Sequence, residues 1–299
     1  MPFVRDILSL IILIQIKIEY LCHKLYYFLD AIWTRENNPE FFENKEHVLH
    51  VMEKLNIIAK PRIYIEGSEE IKMENYFLTP CMLRQKTPLE VICPEPNDQM
   101  ESSSVLCYVF LGQFMPSPIF HRLLAACVAQ WPIATKKKED KQENQIFCGC
   151  CVLQLDQYHK LTIHFREHVI YVRVTRMGIR EKTPSSKFCI EVREFITTNL
   201  RKIIGYLGQS LNFEYFIQCP EYSGESVNSL ISVSHLKENA EVHCEFHDNV
   251  IESCNLLNFW FKDQDQSGDG DVCKCIIQYI FWFIIRTDIP SNILYGTVF

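Results

Sequence analysis

The sequence predicts an α+β protein, with a helical, winged-helix-like subdomain followed by an antiparallel sheet packed with a long helix. Three observations carry this. Residues 39–58, PEFFENKEHVLHVMEKLNII, put Val48, Met52 and Leu55 on one helical face and Lys45, Glu46, Glu53 and Lys54 largely on others. After Trp131 the apolar period falls to two, in QIFCGCCVLQL, KLTIHF and HVIYVRVTRM. Residues 187–211 then return to a helical period, with Val192, Ile196, Leu200, Ile203 and Leu207 in one stripe. Helices first and an antiparallel sheet second is the α+β pattern, not the alternation of a parallel α/β fold.

The elements divide the chain into five stretches. Residues 1–34 form an apolar N-terminal segment of helical character. Residues 35–135 hold the helical, winged part. Asn44 suits an N-cap, RIYIEG reads as a short strand, SEEIKMEN as a polar connection, and the proline-containing 86–104 as a loop. VLCYVFL is a buried strand, and a helix follows over 117–130, with Pro118 in its first turn and Trp131-Pro132 ending it. Residues 136–211 hold the sheet and the long helix; KKKEDKQEN, 136–144, reads as a charged surface loop. Residues 212–262 are a short β-rich segment with several Cys and His, and 263–299 are an acidic loop and an apolar tail.

With 299 residues, 47% of them hydrophobic and 12% aromatic, the chain has enough apolar surface for a full core and is not of disordered composition. Its net charge of −7 argues against nucleic-acid binding, and the helix at 45–55 alternates acids with bases instead of presenting a basic stripe. The 14 cysteines are irregularly spaced and many sit in apolar runs, as Cys107, Cys148, Cys150, Cys151 and Cys189 do. That pattern suits reduced, buried thiols of a cytoplasmic protein better than a disulfide scaffold. The apolar runs 7–16 and 276–285 are each about half of the ~20 residues a spanning helix needs. They read as core segments, with a membrane-anchored fragment as the alternative.

Three stretches offer chemistry. DQDQSGDGDVCK, 263–274, supplies Asp263, Asp265, Ser267, Gly268 and Asp271 at the first, third, fifth, sixth and ninth positions of a calcium loop. Lys274 stands where the bidentate glutamate belongs, so calcium binding is not expected. Cys219, His243, Cys244 and His247 are ligand types for zinc, and a small zinc module over 213–250 is the alternative reading of that stretch; no metal or other cofactor is favoured. A Cys–His nucleophile lacks the strained, glycine-framed turn that would expose it, and vicinal Cys150-Cys151 read as a strand whose successive side chains face opposite ways. No catalytic residue is assigned.

Several strings, taken in order, resemble the COR domain of Roco proteins, the segment that follows a Roc GTPase domain. They are HVLHVMEKLNIIAKPR, NYFLTPCML, VLCYVFLGQFMPSPIFHRLLAACV, Trp131, IFCGCCVLQL and CIEVREFITTNL, covering roughly residues 28–210. The sequence departs from the family in reading FMPSPIFHRL, with Pro118 where glycine is usual, and in having no G-x-x-x-x-G-K-[ST] and no kinase signature. The resemblance implies a non-catalytic interaction and dimerisation domain of a GTPase signalling scaffold. A Roc-type GTPase domain would be held by the winged part, and self-association would run through the β part. It places Met52, Leu55, Tyr76, Phe77, Pro80, Phe120, Leu123, Trp131, Phe195 and Leu200 in the architecture.

Alternation in HVIYVRVTRM puts Val169, Tyr171 and Arg173 on one face and Ile170, Val172 and Val174 on the other. With the second face as core, the first is the expected docking face for a second copy or a GTPase domain, since Tyr and Arg are common interface anchors.

Overall fold

The computed structural model describes residues 44–66, 70–94, 100–138, 141–178, 183–207, 211–220, 229–244 and 248–261. All of these described residues belong to one compact unit. The apolar runs 7–16 and 276–285, the calcium-like loop and His247 lie outside the described residues. Among those described, no helix is long and apolar enough to cross a membrane.

Helix α1 (Lys45–Lys54) buries Val48 and Met52, the two stripe residues nearest its centre. Asn44 precedes it, without a side-chain capping bond. Ile58 completes a small satellite cluster, with Leu49, Ile57 and Phe77 packed around it. The hairpin β1 (Arg62–Tyr64) and β2 (Ile71–Met73) follows, so the polar connection expected at 68–75 contains a strand. The expected loop at 86–104 likewise holds a one-turn helix, α2 (Leu89–Ile92), and a short strand, β3 (Met100–Ser102).

Strand β4 (Leu106–Phe110) leads into α3 (Ser117–Gln130), which has proline in its first turn and ends as Trp131 turns extended. Between them Gly112 and Gln113 both take positive φ, +83° and +55°, a left-handed reversal that turns the chain sharply from strand to helix. Strands β5 (Ile133–Lys138) and β6 (Lys141–Asn144) pair as a hairpin through Thr135–Asn144 and Lys136–Glu143, so the charged stretch expected to be a loop is a ladder. Its alternating Lys, Gln and Glu leave most side chains in water while the backbone is satisfied by pairing.

Strands β7 (Ile146–Phe147), β8 (Cys150–Gln154), β9 (His159–Arg166) and β10 (Val169–Met177) form the two-residue-period region. Helix α4 (Ser186–Tyr206) follows, then β11 (Phe213–Gln218), β12 (Leu230–Ser232), α5 (Val233–Glu238), the small hairpin β13 (Glu241–Cys244) and β14 (Asn249–Glu252), and α6 (Ser253–Leu257). The segment expected to be β-rich holds four strands and, in addition, two short helices.

Twelve strands join one sheet in the order β12-β11-β4-β10-β9-β8-β5-β1-β2, with β3, β6 and β7 paired to its members. It is mixed: β1 runs parallel to β5 through Ile63–Ile133 and Tyr64–Ala134, while the other pairs are antiparallel. The sheet is continuous where a subdomain boundary at 135/136 was expected, because Ile133–Lys138 is a single strand.

Helices α3 and α4 pack together on one face. Leu123, Leu124 and Cys127 meet Val192, Ile196, Leu200 and Ile203 over Leu106, Tyr108, Leu161, Ile163, Ile170 and Val172. Each of these is 1% exposed or less, and burying such a side chain is worth about 1.5–3 kcal/mol. Three polar groups are accommodated by direct bonds. Tyr108 donates to the Arg193 carbonyl at 3.1 Å, the Thr197 hydroxyl bonds both that carbonyl (2.7 Å) and the Tyr215 hydroxyl (2.9 Å), and the buried Trp260 indole donates to the Ser104 carbonyl at 2.8 Å. Of the residues expected to define the architecture, Met52, Pro80, Phe120, Leu123 and Leu200 are buried. Leu55, Phe77, Trp131 and Phe195 are half-buried, and the last two meet edge to face at 4.7 Å. Tyr76 is the exception, 46% exposed, because the chain bends away from the sheet just after β2.

Candidate functional site

The expected docking face lies on β10, at the centre of the sheet. Its three residues do share a face, but that face is not open. Val169 is fully buried and Tyr171 is 4% exposed, in a cluster with Cys107 to which Val105, Val109, Phe216 and Leu230 add cover. Arg173 is half-buried. The expectation of an open surface at these positions is corrected for two physical reasons. The neighbouring strands β4 and β11 carry large apolar residues on this side too, so the side chains cover one another. A segment far upstream also crosses the same side: the Cys148 N–H donates to the Gln85 carbonyl, the Thr87 hydroxyl to the Cys148 carbonyl, and Arg173 Nη2 to the Val91 carbonyl at 3.2 Å.

Beneath that segment lies a compact polar group. His164, directly across the ladder from Tyr171, stacks on its ring at 4.5 Å with 1° between the planes. Burial pushes the imidazole down to about 3, and the positive charges of Arg173 and Arg166 add to the effect. Cys150 pairs with His164 on the other side, and its thiol is pushed up to about 12 by burial, against opposing pulls from Arg173 and Thr87. The Nε of Arg173 is buried with no hydrogen-bond partner. A reactive thiolate–imidazolium pair needs both groups charged. Here both are held neutral, so Cys150 and His164 are not arranged as an activated nucleophile. Cys151 faces the main core and Cys150 the opposite side, as strand alternation requires.

Of the zinc alternative, His247 lies outside the described residues, and the other three do not converge. His243 and Cys244 are consecutive in β13, where exposure alternates, so one points to water and the other inward. His243 Nε2 meets Asp248 Oδ1 at 3.0 Å, and Cys219 is buried with its N–H on the Ser229 carbonyl. Among the described residues no three His, Cys, Asp or Glu converge as metal ligands would.

A further site was missed in the sequence. His159 is buried, and its Nδ1 meets both Asp156 carboxylate oxygens at 2.9 Å. The same carboxylate accepts the backbone N–H of Tyr158 and of His159. Burial alone would raise the Asp156 carboxyl, but these bonds, chiefly from His159, draw it below its ordinary value. Nε2 accepts the N–H of Ser185 at 3.3 Å, which places the ring proton on Nδ1. The arrangement looks like a general-base pair, yet its outer nitrogen is occupied by Ser185, the N-cap residue of α4. It is a clamp joining the β8–β9 turn to that helix. The D-x-x-H spacing of 156–159 was the available signal.

Several large apolar side chains are exposed among the described residues, Leu89, Tyr206 and Val250 among them. Ile71 and Met73 on β2 are 52% and 63% exposed, and Leu111 and Phe114 on the left-handed β4–α3 turn are 46% and 64% exposed. Neither a scan against models of known protein families nor a search among curated proteins finds a match to this chain.

Proposed function

We propose that the chain is a non-catalytic interaction domain, similar to the COR domain of Roco proteins, that associates with a Roc-type GTPase domain and with itself in a cytoplasmic signalling scaffold. The observation that carries the reading is two places where exposed apolar side chains lie close together in the chain, Ile71 with Met73 and Leu111 with Phe114. The strings that carry the resemblance give further support, because they coincide with load-sharing elements. HVLHVMEKLN forms α1, VLCYVFL the central β4, IFHRLLAACV most of α3 and CIEVREFITTNL the middle of α4. In this reading α1 with the β1–β2 hairpin is the winged part. Cys107, Cys127, Cys150, Cys151 and Cys189 are free and buried, which suits a reducing compartment.

The test is titration of a purified Roc-type GTPase domain with the full chain, followed by calorimetry. Saturable binding that Phe114→Ser weakens, with the melting temperature unchanged, is the expected result. No binding with either GDP or a GTP analogue present would remove the GTPase part of the reading.

A further inference from the structure

Strand β2 ends the sheet. All three of its residues are exposed, and its outer side meets no other strand among the described residues. The ladder with β1 determines which backbone groups face outward. Ile65 N–H donates to the Glu70 carbonyl and Glu74 N–H to the Pro61 carbonyl, so residues 70, 72 and 74 turn their polar groups toward β1. The N–H and C=O of Ile71 and Met73 therefore point away from the sheet. An edge with free backbone groups and exposed Ile and Met side chains is a template for another strand, and this one carries neither proline nor bulge to block it.

The charges beside that edge select the partner. Lys72 and Glu74 sit on the same side of the strand, 3.0 Å apart. Antiparallel pairing of two copies about a two-fold axis leaves two close registers. With the axis at Lys72, two lysines stand directly opposite, which is destabilising. With the axis at Met73, the two Met73 residues exchange both backbone hydrogen bonds. Each Lys72 then faces Glu74 of the other copy in the closer, non-hydrogen-bonded position. Four charges alternate in sign around the join, and Ile71 and Met73 of both copies line its opposite side.

We infer that β2 is a self-association edge, pairing antiparallel with β2 of a second copy in the register centred on Met73. This rests on the reading of the chain as a self-associating domain, and locates the contact in the β1–β2 hairpin instead of on the β10 face. The strand is short, so the contact is weak, with a dissociation constant between about 1 µM and 1 mM, the range of small transient interfaces.

Charge exchange tests the register with the full chain. Sedimentation over that concentration range should show a reversible monomer–dimer equilibrium. Lys72→Glu alone and Glu74→Lys alone should each weaken it about tenfold or more, since each replaces two attractive oppositions by repulsive ones. An equimolar mixture of the two variants should associate again as a heterodimer, and so should the double variant carrying both changes. Merely unfolding the hairpin would not give recovery on mixing. A chain that stays monomeric throughout overturns the inference, as does a dimer indifferent to the single reversals or one not restored by mixing. If that happens while the GTPase titration still saturates, the edge is wrong and the interaction-domain reading stands.

Discussion

Strands β10 and β2 belong to one sheet and share a vocabulary of branched and long side chains, yet their environments are opposite. In VIYVRVTRM, six of the nine positions have strand partners on both sides and six residues are buried, including alternate residues that face away from the helices. In IKM every residue is exposed. Alternation of residue type tells which side chains share a face, but whether a face is dry depends on what the rest of the chain lays across it. For β10 that includes the segment at 85–91, whose Val91 carbonyl accepts from Arg173 about eighty positions downstream.

The sharpest challenge to this contrast is Tyr171→Ala. A ring that is 4% exposed and stacked on His164 should cost about 3–5 kcal/mol in denaturant unfolding when removed. A loss under about 0.5 kcal/mol would mean that the face is a surface after all. The next largest effect is on acid stability. The folded chain keeps His164 neutral down to about pH 3, whereas an unfolded histidine takes up a proton near 6.5. The unfolded state therefore binds the proton first as pH falls. Stability from this residue is complete above pH 6.5 and is lost progressively toward pH 3, at no more than about 1.4 kcal/mol per unit. His164→Phe keeps a ring against Tyr171 and should flatten that part of the pH–stability curve; an unaltered curve would show that His164 is not sequestered.

Tyr108→Phe, on the helix-covered face, should cost about 0.5–1.5 kcal/mol, the net worth of one hydrogen bond, with Thr197 and Tyr215 still paired. At the edge, Met73→Ala should leave monomer stability within about 0.5 kcal/mol, because its side chain is 63% exposed. A larger loss in dilute protein would show that β2 is part of the core.

Much of the scaffold was legible in the sequence because its signals are long. The 3.6-residue stripe from Val192 to Ile203 and the two-residue period of β8–β10 each extend over several repeats, and the β4–α3 passage has proline and tryptophan at its ends. Strands β2, β3 and β6 were not legible, since runs of three or four residues too short and too polar to show a period become strands only when a neighbour offers its backbone. The site was less legible than the fold. The face shared by Val169, Tyr171 and Arg173 followed from alternation, but its cover comes from sequence-distant residues. His243 and Cys244 had suitable ligand chemistry, and adjacency within a strand separates them. Asp156 and His159 needed only a count of three, although nothing in that count showed Ser185 to be the third member.

Strand β4 has a consequence for how the protein is made. All five of its residues are paired, with Val169–Val172 on one side and Phe213–Ile217 on the other, and both partners lie downstream. During synthesis the apolar LCYVF emerges well before either partner exists. At 5–20 residues per second the interval until Phe213–Ile217 has been added is roughly 5–20 s. For that time the strand destined for the middle of the sheet lacks at least one of its two neighbours. A nascent chain ending just after α4 should be bound by chaperones or cleaved by protease within β4, and extending it through β12 should bring protection.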